Sequence, residues 1–475
     1  MPQTLIIGGS VAGLVAALAF ADLGHDVRIL ERDGHESPDT VEQAHEDWRR
    51  PTVPQLHQSH AFGSLGTNLL RDRLPGVYAA LVAAGAREIE LGRAMPPTLT
   101  DRTPQPEDAE LRMLGSRRST FELILRQEAL RRPGVAFQRG ETVRGLVLSP
   151  TGTGPRRVTG VTTQDGRTIT ADLVIDATGR RSQAPDWLQE LGITAPVQVA
   201  QSAEITYYTR YYRALSPRPA GPLNRGFGAG GLWDHYTGVL FLGDNNTFTI
   251  SLGVLPEDTE MKSLRLNEAF TAAVAATPLL APWLSPEASE PISQVHAMGG
   301  LDNSLRLPAP DAEPVLGFFP VADAVCTTNP AYGRGVSLAI AHVLDLADLI
   351  GGHPQVDVEQ AKAATELAER TFRPWFEDAV RNDGGRARLW RATVAGQSLP
   401  PLPPDVITFG TVAEAAATDP VVWRRLVRTM MSLDNPADLY EDEDIRLRVK
   451  QAGGVPAFPA PDRATLVEVV KRAAG

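Results

Sequence analysis

The chain has 475 residues, 43% of them hydrophobic, and a formal net charge of −11, enough apolar material for two or three globular domains. The acidic surplus opposes a phosphate-neutralising surface, so no nucleic-acid partner is expected, and no run approaches the roughly 18 uninterrupted apolar residues that span a bilayer, so stable membrane insertion is not expected either. A single cysteine, Cys326, excludes an intrachain disulfide and a thiolate metal cage.

The opening residues Met1–Thr4 carry no basic side chain, unlike a secretory leader, and the expected setting is the reducing cytoplasm. His57 and His60 have no further ligand nearby, so no metal is expected.

In chain order, Thr4–Ile7, a glycine turn, the Ala/Leu-rich Val11–Leu23 and the apolar Val27–Leu30 read as strand, turn, helix, strand. Gly34–Pro54 is polar without a clear period and is expected to be a mobile loop. Leucines at helical spacing predict a helix over Ala61–Ala84, and a second follows at Thr120–Arg131, with a Pro- and acid-rich excursion, Pro96–Glu110, between them. Val135–Gln138, Val143–Leu148, Arg157–Thr163 and Leu173–Ala177 are expected to be strands of a small sheet returning to the main one.

Val197–Val254, rich in β-branched and aromatic residues, predicts an antiparallel sheet, with its tyrosines in sheet packing. Val315–Val321 predicts a strand and Val336–Ile350 a helix. The chain beyond Val356 is helical in character, interrupted at Leu399–Pro404, and Trp375, Trp390 and Trp423 are expected in helix packing, closing over the sheet or forming a subunit contact. No internal repeat is visible.

Gly8-Gly9-Ser10-Val11-Ala12-Gly13 matches the dinucleotide fingerprint G-x-G-x-x-G with serine at the second glycine. Gly8 permits the tight turn, a small residue at Ser10 admits a pyrophosphate, and Gly13 lets the helix pack on the sheet. The helix start offers free N–H groups and a positive dipole end, to which the Ser10 hydroxyl could add a donor. Glu31, about 20 residues on, is placed to accept from an adenosine ribose and disfavours a 2′-phosphate, so the turn suits FAD or NAD better than NADP. Ala12, Arg32 and Val143 complete the candidate contacts at this end.

Leu173-Val174-Ile175-Asp176-Ala177-Thr178-Gly179-Arg180 resembles the second signature stretch of FAD-dependent monooxygenases, halogenases and related reductases. Val321-Ala322-Asp323-Ala324 followed by Asn329-Pro330-Ala331-Tyr332-Gly333-Arg334-Gly335 resembles the family element that meets the ribityl chain and flavin ring. The resemblance implies that Asp323 accepts from a ribityl hydroxyl, and that Pro330, Gly333 and Gly335 start a helix facing the ring. Ala322 stands where the family usually has glycine. Pro54-Gln55 with His60, and Arg118-Ser119-Thr120-Phe121-Glu122 with Arg126, resemble segments of actinobacterial flavin monooxygenases that include polyether epoxidases. The resemblance puts Arg126 near the pyrophosphate and leaves His60 between a structural role and one beside flavin or substrate.

The expected fold class is α/β: a Rossmann-type FAD-binding domain (1–190 and 306–355), an antiparallel β-sheet substrate domain (191–305) and a C-terminal helical region (356–475). The resemblance implies FAD as cofactor and monooxygenation, epoxidation or hydroxylation of a small-molecule natural product through a flavin C4a-hydroperoxide, with the flavin carrying the chemistry. Electrons would come from NADH or NADPH, directly or through a separate flavin reductase. A flavin dehydrogenase or reductase remains an alternative, as does a non-catalytic flavin carrier. Halogenation is disfavoured because no W-x-W-x-I-P pattern occurs.

Overall fold

The computed structural model describes residues 1–150, 154–400, 402–403, 405–452 and 458–475. Its centre is a five-stranded parallel sheet in the order Phe318–Pro320, Leu173–Asp176, Gln3–Ile7, Asp26–Glu31, Val135–Arg139. The apolar strands are covered on both faces, as an all-parallel sheet requires. One face carries the helices Val11–Asp22, Arg118–Arg131 and Gly335–Gly352, which share a core built on Ile6, Leu14, Phe20, Phe121 and Val343. Gly335–Gly352 is long and apolar enough to cross a bilayer, but here it is a core helix packed on Val11–Asp22.

The other face is covered by a three-stranded antiparallel sheet, Val143–Leu148, Val158–Thr163 and Thr168–Thr170, and by the helix Ala184–Glu190. The four strands expected to share one small sheet therefore divide: Val135–Arg139 and Leu173–Asp176 join the parallel sheet, and only the middle two form the small one. Their apolar runs do not distinguish the two locations, because pairing partners lie far away in sequence.

Two further expectations are corrected. Gly34–Pro54 is an ordered segment holding the helix Val41–Glu46, whose Thr40 cap accepts from Gln43 N while Gln43 Oε1 accepts from Thr40 N. Ala44 and Trp48 pack on Leu123 and anchor the segment; so short a helix shows no readable period. The expected helix over Ala61–Ala84 is two, Ser64–Arg73 and Pro75–Ala83. Pro75 lacks an N–H and drives Leu74 out of the helical region, to φ −130° and ψ 55°.

The antiparallel part is a six-stranded sheet centred on Thr247–Val254 and Thr206–Ala214, flanked by Thr237–Leu242, Gly228–Leu232, Ser289–Pro291 and His296–Met298. Val197–Ser202 pairs instead with Asp302–Leu307 in a separate sheet. The outer face packs on Asn267–Ala276 and Arg463–Ala473 around Phe248, Phe270 and Trp283. Tyr207, Tyr208, Tyr211 and Tyr212 are buried in sheet packing.

The expected strand near Val321 is Phe318–Pro320, and the helix after it spans Gly335–Gly352. Beyond it the 37-residue helix Val358–Val394 carries Trp375 and Trp390, and Pro420–Met430 carries Trp423. All three tryptophans pack within the chain: Trp375 against Leu305, Cys326 and Phe372, Trp390 against Ile205 and Tyr207, Trp423 among Leu91, Phe227 and Leu426. Of the interruption expected at Leu399–Pro404, Pro401 and Pro404 lie outside the described residues.

Candidate functional site

The first strand ends at Ile7 and the chain turns through Gly8, at φ +104°, where a Cβ would meet Ala177 O at 2.6 Å. A Cβ on Gly9 would strike the Phe137 ring, and Ala12 is half-buried one residue short of Gly13. Ser10 opens the helix Val11–Asp22, yet its side chain does not cap it and no acid lies in the first turn. Those amides therefore have no side-chain partner, the arrangement that binds an anion. The Ser10 hydroxyl is not the free donor expected: it donates to Glu122 Oε2 at 2.8 Å and accepts from Arg118 Nη2 at 2.9 Å.

Glu31, at the end of the second strand, is buried, with Oε2 accepting from Gly9 N at 2.9 Å and Oε1 from Asp33 N at 2.8 Å. It nonetheless borders a cleft at the carboxyl ends of the parallel strands, together with Gly8, Gly9, Ser10, Arg32 and Val143. Six of the residues named from sequence for the nucleotide end thus come together around one opening, to which Thr52, Thr178 and Arg181 also contribute, while Ala12, Gly13 and Arg126 do not line it.

Behind the turn lies a buried cluster of three carboxylates and three guanidinium groups. Arg50 Nε reaches Asp33 at 2.9 Å and Arg50 Nη2 reaches Glu31 at 3.4 Å, while Nη1 pairs with Glu122. Arg118 Nη2 is 2.7 Å from Glu122. Arg126, expected near the pyrophosphate, is buried: it donates to Gly9 O and Ser37 Oγ at 3.0 Å and lies over the Trp48 and Phe137 rings. Burial and Arg50 lower its pKa to about 10. Burial works to raise the Glu122 pKa, but Arg118, Arg50 and Arg126 hold it at about 2.

Sequence reasoning gave Arg50, Asp33 and Glu122 no role. Their signal was present: Arg118, Glu122 and Arg126 recur every four residues, an unlike-charge stripe on one face of a helix that is here buried.

Asp323 lies 313 positions beyond Ser10, in the short turn Ala322–Ala324 after the strand Phe318–Pro320, beside Gly179. Burial pushes its carboxyl pKa up to about 6 against the pull of Arg118, Arg180 and Arg306. Arg118 thus touches Ser10 on one side and acts on Asp323 on the other. Its Nη1 is buried without a partner among the described residues.

The element Pro330–Gly335 is not one helix start. Pro330–Tyr332 is a 3-10 turn, Gly333 is left-handed at φ +63°, and the helix begins at Gly335 with no side-chain cap and no acid in its first turn. Gly333 faces Ala61, where a Cβ would approach Ala61 Cβ to 3.0 Å. The Thr52–Ala61 segment therefore runs from the nucleotide cleft to the Gly333 turn. Within it His60 Nδ1–H donates to Gln58 O at 2.9 Å, and burial plus Arg118 lower its pKa to about 4, which keeps the ring neutral. Tyr211 donates to Gln58 O and Thr209 to Gln58 Oε1, fastening this segment to the inner face of the antiparallel sheet.

These groups fit FAD. Two helix starts without side-chain caps suit a pyrophosphate and a ring that becomes negative on reduction. Arg118 Nη1 lacks a partner that an acceptor on a ligand would supply. Gly8–Ser10 with Glu31, Arg32 and Val143 would hold the adenosine and pyrophosphate, Asp323 the ribityl chain, and Gly333–Gly335 the ring.

The fold is one shared with solved flavoenzymes. A model of the tryptophan halogenase family matches residues 43–186, which hold the Thr52–Ala61 segment and the Arg118–Arg126 stripe. Protein Rv3254 of Mycobacterium tuberculosis is 27% identical over 470 residues, covering 91% of this chain and 90% of that protein. Among solved structures, PqsL of Pseudomonas aeruginosa, described as "a probable FAD-dependent monooxygenase", has a TM-score of 0.56 at 14% identity over 82% of this chain and 98% of its own. A flavoprotein/dehydrogenase from Cytophaga hutchinsonii has a TM-score of 0.60 at 14% identity over the whole of both chains.

Proposed function

We propose that this protein is an FAD-dependent monooxygenase that places one atom of O2 into an organic substrate, by epoxidation or hydroxylation in natural-product tailoring, with two electrons from NADH or NADPH. The observation that carries this reading is Arg118. It donates to Ser10 of the nucleotide turn, its charge lowers the pKa of Asp323 in the ring-side element, and its Nη1 is a buried donor without a partner among the described residues, left for a ligand.

Bound FAD supplies the electron relay and the oxygen chemistry; the chain supplies binding, orientation and dryness. The amides at the start of Val11–Asp22 offset phosphate charge. Asp323 would accept a hydrogen bond from a ribityl hydroxyl, and the amides from Gly335 onward would stabilise negative charge at the ring end. The sheet face fastened to Gln58 through Thr209 and Tyr211 excludes water from the far wall. The electrons arrive directly or from a separate flavin reductase in the cytoplasm, where a lone buried thiol such as Cys326 is stable.

The tryptophan halogenase match supports a second reading, halogenation. Against it, the lysines Lys262, Lys362, Lys450 and Lys471 are all exposed, so none is buried beside the site, where an activating lysine would be needed. A double-bond dehydrogenase or reductase is the third reading, in keeping with the Cytophaga protein's description.

Stopped-flow reduction with NADH and NADPH, with and without an added reductase, followed by mixing with O2, tests the proposal. Fast reoxidation through a transient oxygenated-flavin absorbance supports it, and slow reoxidation without such a transient rejects it in favour of the dehydrogenase reading. Bromide or chloride incorporation into a trial indole rejects it in favour of halogenation.

A further inference from the structure

We propose that Asp383, on the C-terminal helix Val358–Val394, is a positioning residue that fixes the Asn329–Gly333 turn at the ring end of the cofactor site, making the C-terminal helical region part of that site. The inference rests on the FAD reading above and adds a residue nearly 50 positions beyond the last recognised motif.

Asp383 has no exposed surface. Its Oδ1 accepts from Asn329 Nδ2 at 2.7 Å, Tyr332 OH at 3.0 Å and Arg386 Nη2 at 3.1 Å, and its Oδ2 accepts from Asn303 Nδ2 at 2.8 Å. The turn itself is closed by Asn329, whose Oδ1 accepts from Ala331 N at 3.0 Å and from Tyr207 OH at 2.6 Å, while its N–H donates to Asn303 Oδ1 at 2.7 Å. Three elements therefore converge on Asn329: the sheet strand Thr206–Ala214, the strand Asp302–Leu307 and the C-terminal helix.

A second tie comes from the same helix. Arg334, directly before Gly335, pairs with Asp378 at 2.9 Å and lies over the rings of Tyr332 and Trp375. Asp383 and Asp378 thus grip both sides of Gly333, whose left-handed conformation redirects the chain into Gly335–Gly352.

Energetics favour a positioning role over plain adhesion. A buried carboxylate is costly, and apolar packing holds a helix in place at least as well. What a carboxylate adds is direction: Asp383 is acceptor-only, so Asn329 must present its amide nitrogen and Tyr332 its hydroxyl hydrogen. Burial pushes the Tyr332 pKa far up, which preserves that hydrogen.

The test uses the full chain stripped of FAD and titrated back, reading the dissociation constant from flavin fluorescence and the ring environment from visible circular dichroism. Asp383→Asn sets an NH2 group among four donors; FAD affinity should fall about tenfold, and the dichroism should change. The double variant Asn329→Asp with Asp383→Asn restores donor to acceptor at that contact, although Arg386 still meets the NH2 group, and should recover part of the lost affinity, a rescue that a purely structural role does not predict. Tyr332→Phe removes one donor and should weaken FAD about threefold, which keeps the test open where Asp383→Asn does not fold. Wild-type affinity and dichroism in Asp383→Asn or in Tyr332→Phe overturn the proposal, as does a loss that persists undiminished in the double variant. A wild-type chain that takes up no FAD overturns the flavin reading beneath it, which separates the two failures.

Discussion

Gly13 faces the Gly8 carbonyl so closely that a Cβ on Gly13 would stand 1.9 Å from that oxygen. Backbone cannot yield as a flexible side chain does, so Gly13→Ala must open the turn or displace the helix, at about 1–3 kcal/mol. Gly335 belongs to the other motif and has nothing within 4 Å of its Cβ position, so Gly335→Ala should leave apoprotein stability within about 1 kcal/mol of wild type. Urea unfolding and FAD content of both variants check this, and equal behaviour of the two would contradict it.

Glu122 should dominate the acid limb of the stability curve. Its pKa falls from 4.5 to about 2 in the folded chain, held there against burial by Arg118, Arg50 and Arg126. A depressed carboxylate stabilises fully above pH 4.5, and that stabilisation is lost as pH falls from 4.5 towards 2. Glu122→Gln leaves three buried guanidinium groups undercompensated and should cost about 3–5 kcal/mol at pH 7. The deficit should shrink near pH 2; a deficit independent of pH would show that Glu122 acts through packing alone.

Only the opening of the parallel sheet was legible, because Gln3–Ile7 and Asp26–Glu31 are apolar runs within one short βαβ unit. The destinations of Val135–Arg139, Leu173–Asp176 and Val197–Ser202 were not, since pairing is decided by distant partners: Asp26–Glu31, Gln3–Ile7 and Asp302–Leu307. At the site, the glycines and Asp323 stand out because backbone geometry constrains residue type there. Arg50 and Asp383 do not: each is an ordinary charged residue until the fold buries it beside its partners. The free Ser10 hydroxyl was misjudged because its acceptor, Glu122, lies 112 positions away.

Asp323 should behave in the opposite sense to Glu122. Burial raises its pKa from 3.8 to about 6, so the folded chain holds its proton more tightly than the unfolded chain, and stability is lost as pH rises from about 4 to 6. Asp323→Asn removes that penalty and should stabilise the apoprotein at pH 7–8 by up to about 3 kcal/mol, from two pKa units at about 1.4 each, with little change near pH 3.5. The same substitution should weaken FAD about tenfold by exchanging a charged carboxylate acceptor for a neutral amide, half of which is a donor, opposite a ribityl hydroxyl. Stabilisation without any loss of FAD affinity would leave Asp323 outside the cofactor site.

Ala322, one residue earlier, is held at φ +54°, a left-handed conformation that disfavours a side chain by about 1–2 kcal/mol. The neighbours over-determine it: Val321 N–H donates to Asp176 O, Val325 N–H to Ala322 O, and the Ala322 methyl is buried. Glycine relieves the conformational cost and gives part of it back as unfolded-state entropy, so Ala322→Gly should raise stability by about 0.5–1 kcal/mol. Ala322→Val adds a β-branch at positive φ within a packed turn and should lower stability by more than about 2 kcal/mol. Thermal unfolding of both variants without FAD decides the matter, because a strain-free Ala322 would leave the glycine variant no more stable than wild type.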